Sequence, residues 1–241
     1  MFLFPLDSTS FNGEIRKNVL VYTDINNKAL DSQMIDLVLF LGYNQAYIIK
    51  EVISMIDNKV EKISKLISEI MEILEIPITN SNKDTNTRVA KMWCNELFVN
   101  RNNYNIDDLK ARMKTFPNEY QSEMVIVKDI DFDSICEHHW LPFSGKVTVG
   151  YVPNDKVIGL SKIPRVVKFF SKKPQLQEQL TTEIGEFLYD LLEPHAIFVE
   201  VESKHQCVKC RGAESDCSTK TFYKRTNLGF EDSYKDFKAR M

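Results

Sequence analysis

The sequence predicts an α+β fold: an antiparallel sheet with helices on one face, preceded by a helical segment. Three observations carry this. Apolar residues recur at helical spacing between Val60 and Leu74. Beyond about residue 120 short β-branched runs take over. The later elements follow the order strand, strand, helix, helix, strand, strand, which suits an antiparallel sheet covered on one side by its two helices.

Taken in order, residues 1–57 hold two strand-like runs, VLVYTDI (19–25) and QAYIIKEVISMI (45–56), and no recognisable chemistry. From residue 58 the pattern turns helical, with Val60, Ile63, Ile67, Ile70, Met71 and Leu74 forming one apolar stripe that Pro77 ends. TNSNKDTNT (79–87) is a polar connector, and Arg88 to Leu97 reads as a second helix. MVIVKDI (124–130), KVTVGYV (146–152) and AIFVEVE (196–202) read as strands, with a fourth near 218–224. Between the second and third strands, Ser161 to Phe170 is a helix opened by a capping serine. Pro174 to Leu192 is a second, with proline in its first turn. The expected organisation is an extension (1–57), a helical segment (58–120) and a sheet-containing unit (121–241).

Composition narrows the function. A net charge of −3 argues against general affinity for nucleic acid or an anionic membrane, so any basic site is local. The start, MFLFPLDSTS, lacks the basic region and apolar length of a signal peptide, and the longest later apolar run, LVLFLGY (37–43), is too short to span a bilayer. Five cysteines, an odd number, fit a reducing compartment where thiols bind metal or stay free. A cytoplasmic protein is expected.

The chemistry concentrates in two clusters. In ICEHHWLPFSGK (135–146), Cys136 and His139 stand three apart, close enough to converge on one ion from a tight turn. Zinc takes thiolate and imidazole ligands, and a catalytic site uses three of them plus water. SKHQCVKCRG (203–212) offers the third, with His205 and Cys207 again side by side. Together the clusters hold three of the four histidines, which makes a chance grouping of buried thiols and surface imidazoles the weaker reading. Cys207 and Cys210 also form a CxxC, but no second CxxC completes a four-cysteine structural site, and no thioredoxin-like unit surrounds this one. In SKIPRVVKFFSKK (161–173), Lys162, Arg165, Lys168 and Lys172 share one helix face, which is either a solvated face or a phosphate-binding one beside the Ser161 helix start. Arg211 adds a cation beside the second cluster. Glu178 by default compensates a helix dipole.

Three separated motifs, CEHH, VIGLSKIPRVVKFFSKKPQLQEQLT (157–181) and HQCVKCRG (205–212), together resemble the GTP cyclohydrolase I family, from about Val60 to the C-terminus. The resemblance implies the tunnelling fold, assembled as a homodecamer of two pentamers with active sites between subunits. It implies conversion of GTP to dihydroneopterin triphosphate with release of formate. It makes Cys136, His139 and Cys207 the Zn2+ ligands and His138 and His205 the acid–base pair. Glu178, with Gln177 nearby, would read the guanine edge. Ser161, Lys162, Arg165 and Arg211 would hold ribose and triphosphate, and Arg88 and Lys91 would come from a neighbouring subunit.

The chain departs from the family pattern in three places. Thr85-Asn86 stands where the family usually has Thr-Pro, Cys210 stands where it tends to have alanine or methionine, and CSTKTFYKRTNLGF (217–230) matches only loosely. Three other readings are open to a chain with these residues. One is a nitrile reductase of queuosine synthesis on the same fold, which needs a cysteine nucleophile and no such zinc set. Another is a non-catalytic, zinc-stabilised binding module. The third is a degenerate regulatory relative, against which stands the retention of every chemical position that can be matched.

Overall fold

The computed structural model describes residues 45–99 and 105–240, with side chains from residue 58 onward. The run expected as a strand at 19–25 lies outside the described residues. The chain divides into two compact units, 1–59 and 60–241. The first is described only through its part of the opening helix.

That helix, α1 (Gln45–Ile73), corrects the expectation of a strand over 45–56. The run is rich in β-branched residues, yet Ile48, Ile49, Val52, Ile53 and Ile56 continue the 3.6-residue period found from Val60 onward. Period outweighs propensity here. The helix stops before Pro77 by a backbone device: Glu75 takes φ 55°, its N–H bonds the Glu72 carbonyl at 2.9 Å, and the Ile76 N–H bonds the Met71 carbonyl at 2.9 Å. This is the Schellman closure with glutamate in the place glycine usually fills. Helix α2 (Thr85–Met92) widens into a π-turn at Trp93–Leu97, where the Phe98 N–H reaches back five residues to the Trp93 carbonyl. Asn86, standing where proline was expected, ties α2 to α1 by donating to Ser68 Oγ at 2.8 Å.

A short helix α3 (Ile106–Arg112), capped by the Asn105 side chain, leads into β1 (Thr115–Pro117). The main sheet is built from β2 (Val125–Cys136), β3 (Pro142–Val152), β6 (Ala196–His205) and β7 (Thr219–Thr226), all antiparallel in that order. A two-residue strand β5 (Pro174–Gln175) adds to the outer edge of β2 in parallel, and β4 (Lys156–Ile158) pairs with β1. Helices α4 (Lys162–Ser171) and α5 (Gln177–Leu192) cover one face, the α+β arrangement anticipated.

Strand alternation sorts the two faces. Val147, Val149, Tyr151, Val199 and Val201 point to the helices and meet Ile163, Val167, Leu180, Ile184 and Leu188 in one core. Each such fully buried side chain contributes about 1.5–3 kcal/mol. On the far face, Lys146 pairs with Asp131 at 2.6 Å, and the buried Glu200 meets Lys238 at 2.8 Å. There the last helix, α7 (Ser233–Ala239), seats Phe237 on Val152, Ala196 and Phe198.

Two helix starts differ from expectation. Ser161 makes no side-chain cap bond and itself sits at φ −65°, ψ −12°; the entry is a backbone turn in which the Lys162 N–H bonds the Gly159 carbonyl at 2.8 Å. Pro174 is not in a helix. It pairs with Ile135, and Gln175 pairs with Cys136, so α5 begins only at Gln177. Buried Gln175 holds this junction by donating to Ser134 Oγ (2.9 Å) and the Phe170 carbonyl (2.7 Å).

Candidate active site

The CEHH motif is the turn between β2 and β3. Cys136 ends β2, its N–H bonds the Leu141 carbonyl at 2.9 Å, and the Trp140 N–H returns to the Cys136 carbonyl at 2.9 Å. Trp140 closes the turn in the left-handed region at φ 53°. Its ring is held edge-on by Trp93 at 5.5 Å and Phe98 at 5.6 Å, so the π-turn after α2 braces the loop. This one turn of chain puts both imidazoles near the same sulfur: Cys136 Sγ lies 3.9 Å from His139 Nδ1 and 4.0 Å from His138 Nδ1.

Cys207 decides between them. It sits on the short helix α6 (Gln206–Lys209), directly after β6, and β6 runs beside β3 with His205 opposite Phe143. Ligand atoms of Cys136, His139 and Cys207 all fall within 4.8 Å of one another, a group that includes neither His138 nor Cys210. Cys136 is buried and Cys207 half-buried. Burial and then the facing Cys136 thiol push Cys207 above the ordinary thiol range, while the Arg211 charge pulls it down. Two thiol donors plus one imidazole match zinc in ligand type and number. Tetrahedral zinc spaces such pairs by about 3.6–3.8 Å, so modest side-chain rotation closes the set. The three residues can hold a metal ion.

His205 stands beside this group. Its ring stacks on the fully buried Phe143 with centroids 4.6 Å apart and planes 3° apart. Its Nε2 lies 2.9 Å from Gln177 Oε1. Burial pushes its pKa down, partly offset by the negative charge of Glu178. Glu178 is exposed in the first turn of α5, next to Gln177, so the backbone places it over the same end of the sheet. His138 is exposed, with Nε2 4.0 Å from the Glu137 carboxylate.

Gln177 behaves differently from a substrate contact. Its side chain is only 2% exposed, and its amide is committed to protein groups. Nε2 reaches the Val201 carbonyl (3.0 Å), the Thr219 carbonyl (3.1 Å) and Thr221 Oγ1 (3.2 Å), while Oε1 also accepts from Ser203 Oγ at 2.7 Å. Sequence reasoning missed this hub, and with it Phe143 and Ser203. Nothing in their residue types separates them from ordinary core and strand positions.

The basic residues do not all gather at the cluster. Arg211 does, through its charge on Cys207. Ser161, Lys162 and Arg165 do not. Helix α4 starts near Gly159 and Tyr151, where Tyr151 pairs with Val125 at the start of β2, and it ends near Lys173, whose carbonyl accepts from Ser134 beside Cys136. Ten helical residues span about 15 Å, which sets the start of α4 toward the opposite end of the sheet from the cluster. Arg165 and Lys168 are exposed and Ile163, Val166, Val167 and Phe170 buried, so the basic side faces outward. Lys173 is spent on Glu183 at 2.7 Å. Arg88, 72% exposed with a 3.9 Å approach to Asp84, and the exposed Lys91 share one face of α2.

Comparison with known proteins bears on this arrangement. Residues 63–237 match the profile of the GTP cyclohydrolase I family. The GTP cyclohydrolase 1 of Streptococcus agalactiae serotype Ia is 42% identical over 177 residues, covering 73% of this chain and 92% of that one. That of Bacillus subtilis is 43% identical over 154 residues (63% and 78%), and that of Aquifex aeolicus 44% over 158 (64% and 80%). A solved archaeosine synthase QueF-Like in its apo form aligns at 18% identity and TM-score 0.38 over 44% of this chain and 97% of that one, too slight a likeness to bear on function. The matched span contains both halves of the Cys-His-Cys group, His205 and Glu178, and the chain belongs to the GTP cyclohydrolase I family.

Proposed function

We propose that this chain is a zinc-dependent GTP cyclohydrolase I. It opens the imidazole ring of GTP at C8, releases C8 as formate, and closes the rearranged ribose onto the exposed amines to give 7,8-dihydroneopterin triphosphate. The observation that carries the reading is the convergence of Cys136, His139 and Cys207 within 4.8 Å beside an imidazole, His205, that is not part of the group. Cys136, His139 and Cys207 would hold the ion. The chemistry it supplies when bound is activation of water for attack near neutral pH.

The chain's own residues do the rest. His138 and His205 carry protons to and from the purine nitrogens as the ring opens and formate leaves. Glu178 accepts from N1–H and the 2-amino group, two donors that only guanine offers on that edge. Arg211 reaches the triphosphate from the cluster side. Ser161, Lys162 and Arg165 come from a neighbouring chain, because their own chain carries them toward the far end of the sheet. Arg88 and Lys91 serve a neighbour likewise, in a decamer of two pentamers. Residues 121–241 form the catalytic unit, 58–120 the helical segment and 1–57 an extension. Among the described residues no helix is long and apolar enough to cross a membrane, and the five thiols suit the cytoplasm.

Incubation of the purified chain with zinc and GTP tests the reading. One formate per fluorescent pterin triphosphate is expected. Intact GTP, or release of phosphate alone, would overturn it.

A further inference from the structure

We infer that Gln177 is a positioning residue that fixes the tautomer of His205, so that Nδ1, not Nε2, is the nitrogen that exchanges protons with substrate. The inference rests on the cyclohydrolase reading and gives one of its acid–base residues a defined working atom. The amide of Gln177 has one possible orientation. Backbone carbonyls accept and never donate, and two of them, on Val201 and Thr219, face one end of the amide at 3.0 and 3.1 Å; that end must be the NH2. The other end is therefore the carbonyl oxygen, which already accepts from Ser203 Oγ at 2.7 Å. His205 Nε2, 2.9 Å from the same oxygen, has to be a donor. A neutral imidazole has one N–H, so with Nε2 protonated Nδ1 keeps the lone pair. Nδ1 makes no hydrogen bond among the described residues, and the Phe143 stack, 3° from parallel, fixes the ring plane. The ring is thus held at a face and at one nitrogen, with the other nitrogen left for chemistry.

The order of events at His205 follows. Nδ1 takes a proton from one substrate group, the imidazolium keeps its Nε2–H on Gln177, and the same Nδ1 returns the proton to another. No tautomer exchange is needed between the two transfers.

The test uses the zinc-loaded full chain with ¹⁵N-labelled histidine, four residues in all, and a His205→Ala sample to assign the signal. At about pH 8, where an ordinary imidazole is neutral, His205 should show a protonated Nε2 and an unprotonated Nδ1. The opposite tautomer in the parent chain would overturn the inference without any variant, and whether or not GTP turns over. Gln177→Met removes the acceptor at similar volume; it should mix the tautomers and lower kcat about 10–100-fold, with KM for GTP nearly unchanged. Ser203→Ala, which leaves the Gln177 acceptor in place, should keep the parent tautomer. If Gln177→Met instead raises KM and erodes the preference for GTP over inosine triphosphate while the tautomer stays fixed, Gln177 contacts the base and the inference fails.

Discussion

Gly185 lies mid-way along α5, the helix whose first turn presents Gln177 and Glu178, and Gly185→Ala tests how tightly that helix is seated. A Cβ built there overlaps the Tyr223 ring on β7, with two further ring carbons at 2.5 Å. Carbon atoms in contact sit about 3.5–4.0 Å apart, so ring or helix must retreat by about 1 Å. The ring is not loose. Its hydroxyl donates to Glu186 at 2.8 Å, burial and that contact push the phenol up to about 12, and Arg225 meets Glu186 at 3.0 Å while lying 3.8 Å over the Tyr189 ring. Overpacking costs about 1–3 kcal/mol. A weakened hydroxyl–carboxylate bond at this part-exposed site adds about 0.5–1.5 kcal/mol, and alanine's helix preference over glycine returns about 0.5–1. The net expectation is a loss of about 1–3 kcal/mol, read as a lower urea midpoint at fixed protein concentration. Trimming the ring in Gly185→Ala/Tyr223→Leu should recover most of it. A variant as stable as the parent, or more so, would show that α5 can ride off the sheet without strain and refute the reasoning.

Other outcomes follow from the site. Cys207→Ala should lose its zinc and Cys210→Ala should keep one per chain, measured by metal analysis; the reverse would move the ligand assignment to Cys210. In Glu178→Ala the kcat/KM preference for GTP over inosine triphosphate should largely collapse from the roughly 10- to 150-fold that one charge-assisted hydrogen bond supports, with zinc retained. If, as proposed, a cluster from one chain works with the basic helix of another, co-expressed Cys136→Ala and Arg165→Ala chains should recover activity in about a quarter of their sites. Mixed assemblies no more active than the two parents would place both functions in one chain.

The chemistry was the most legible part of this sequence, because metal ligands need particular atoms and few residues carry them. Residue type and spacing marked the two clusters, the family resemblance singled out Cys136, His139 and Cys207 within them, and the turn and the β3–β6 pairing group these three. The order of the main elements along the chain was also readable, since two β-branched runs precede and two follow a pair of helical stretches. Short-range signals misled where tertiary partners override them. Residues 45–56 have strand-like composition on a helical period, Ser161 looks like a cap but a backbone turn does the work, and Pro174 looks like a helix start but pairs with Ile135. The direction of α4 could not be read at all, because it depends on β2 and β5 meeting at Cys136. Gln177 resembled a substrate contact by its neighbour Glu178, and only its partners on β6 and β7 reveal a buried hub.

The central claim, that the Cys-His-Cys group and the two imidazoles outside it open GTP at C8, is tested most directly with GTP labelled at C8. The zinc-loaded chain should place all of the label in formate, and the same chain after metal removal, or His138→Ala with its zinc retained, should lose turnover, the variant by about 10²–10⁴-fold. Label retained in the nucleotide, or formate released equally well by the metal-free chain, would contradict the account.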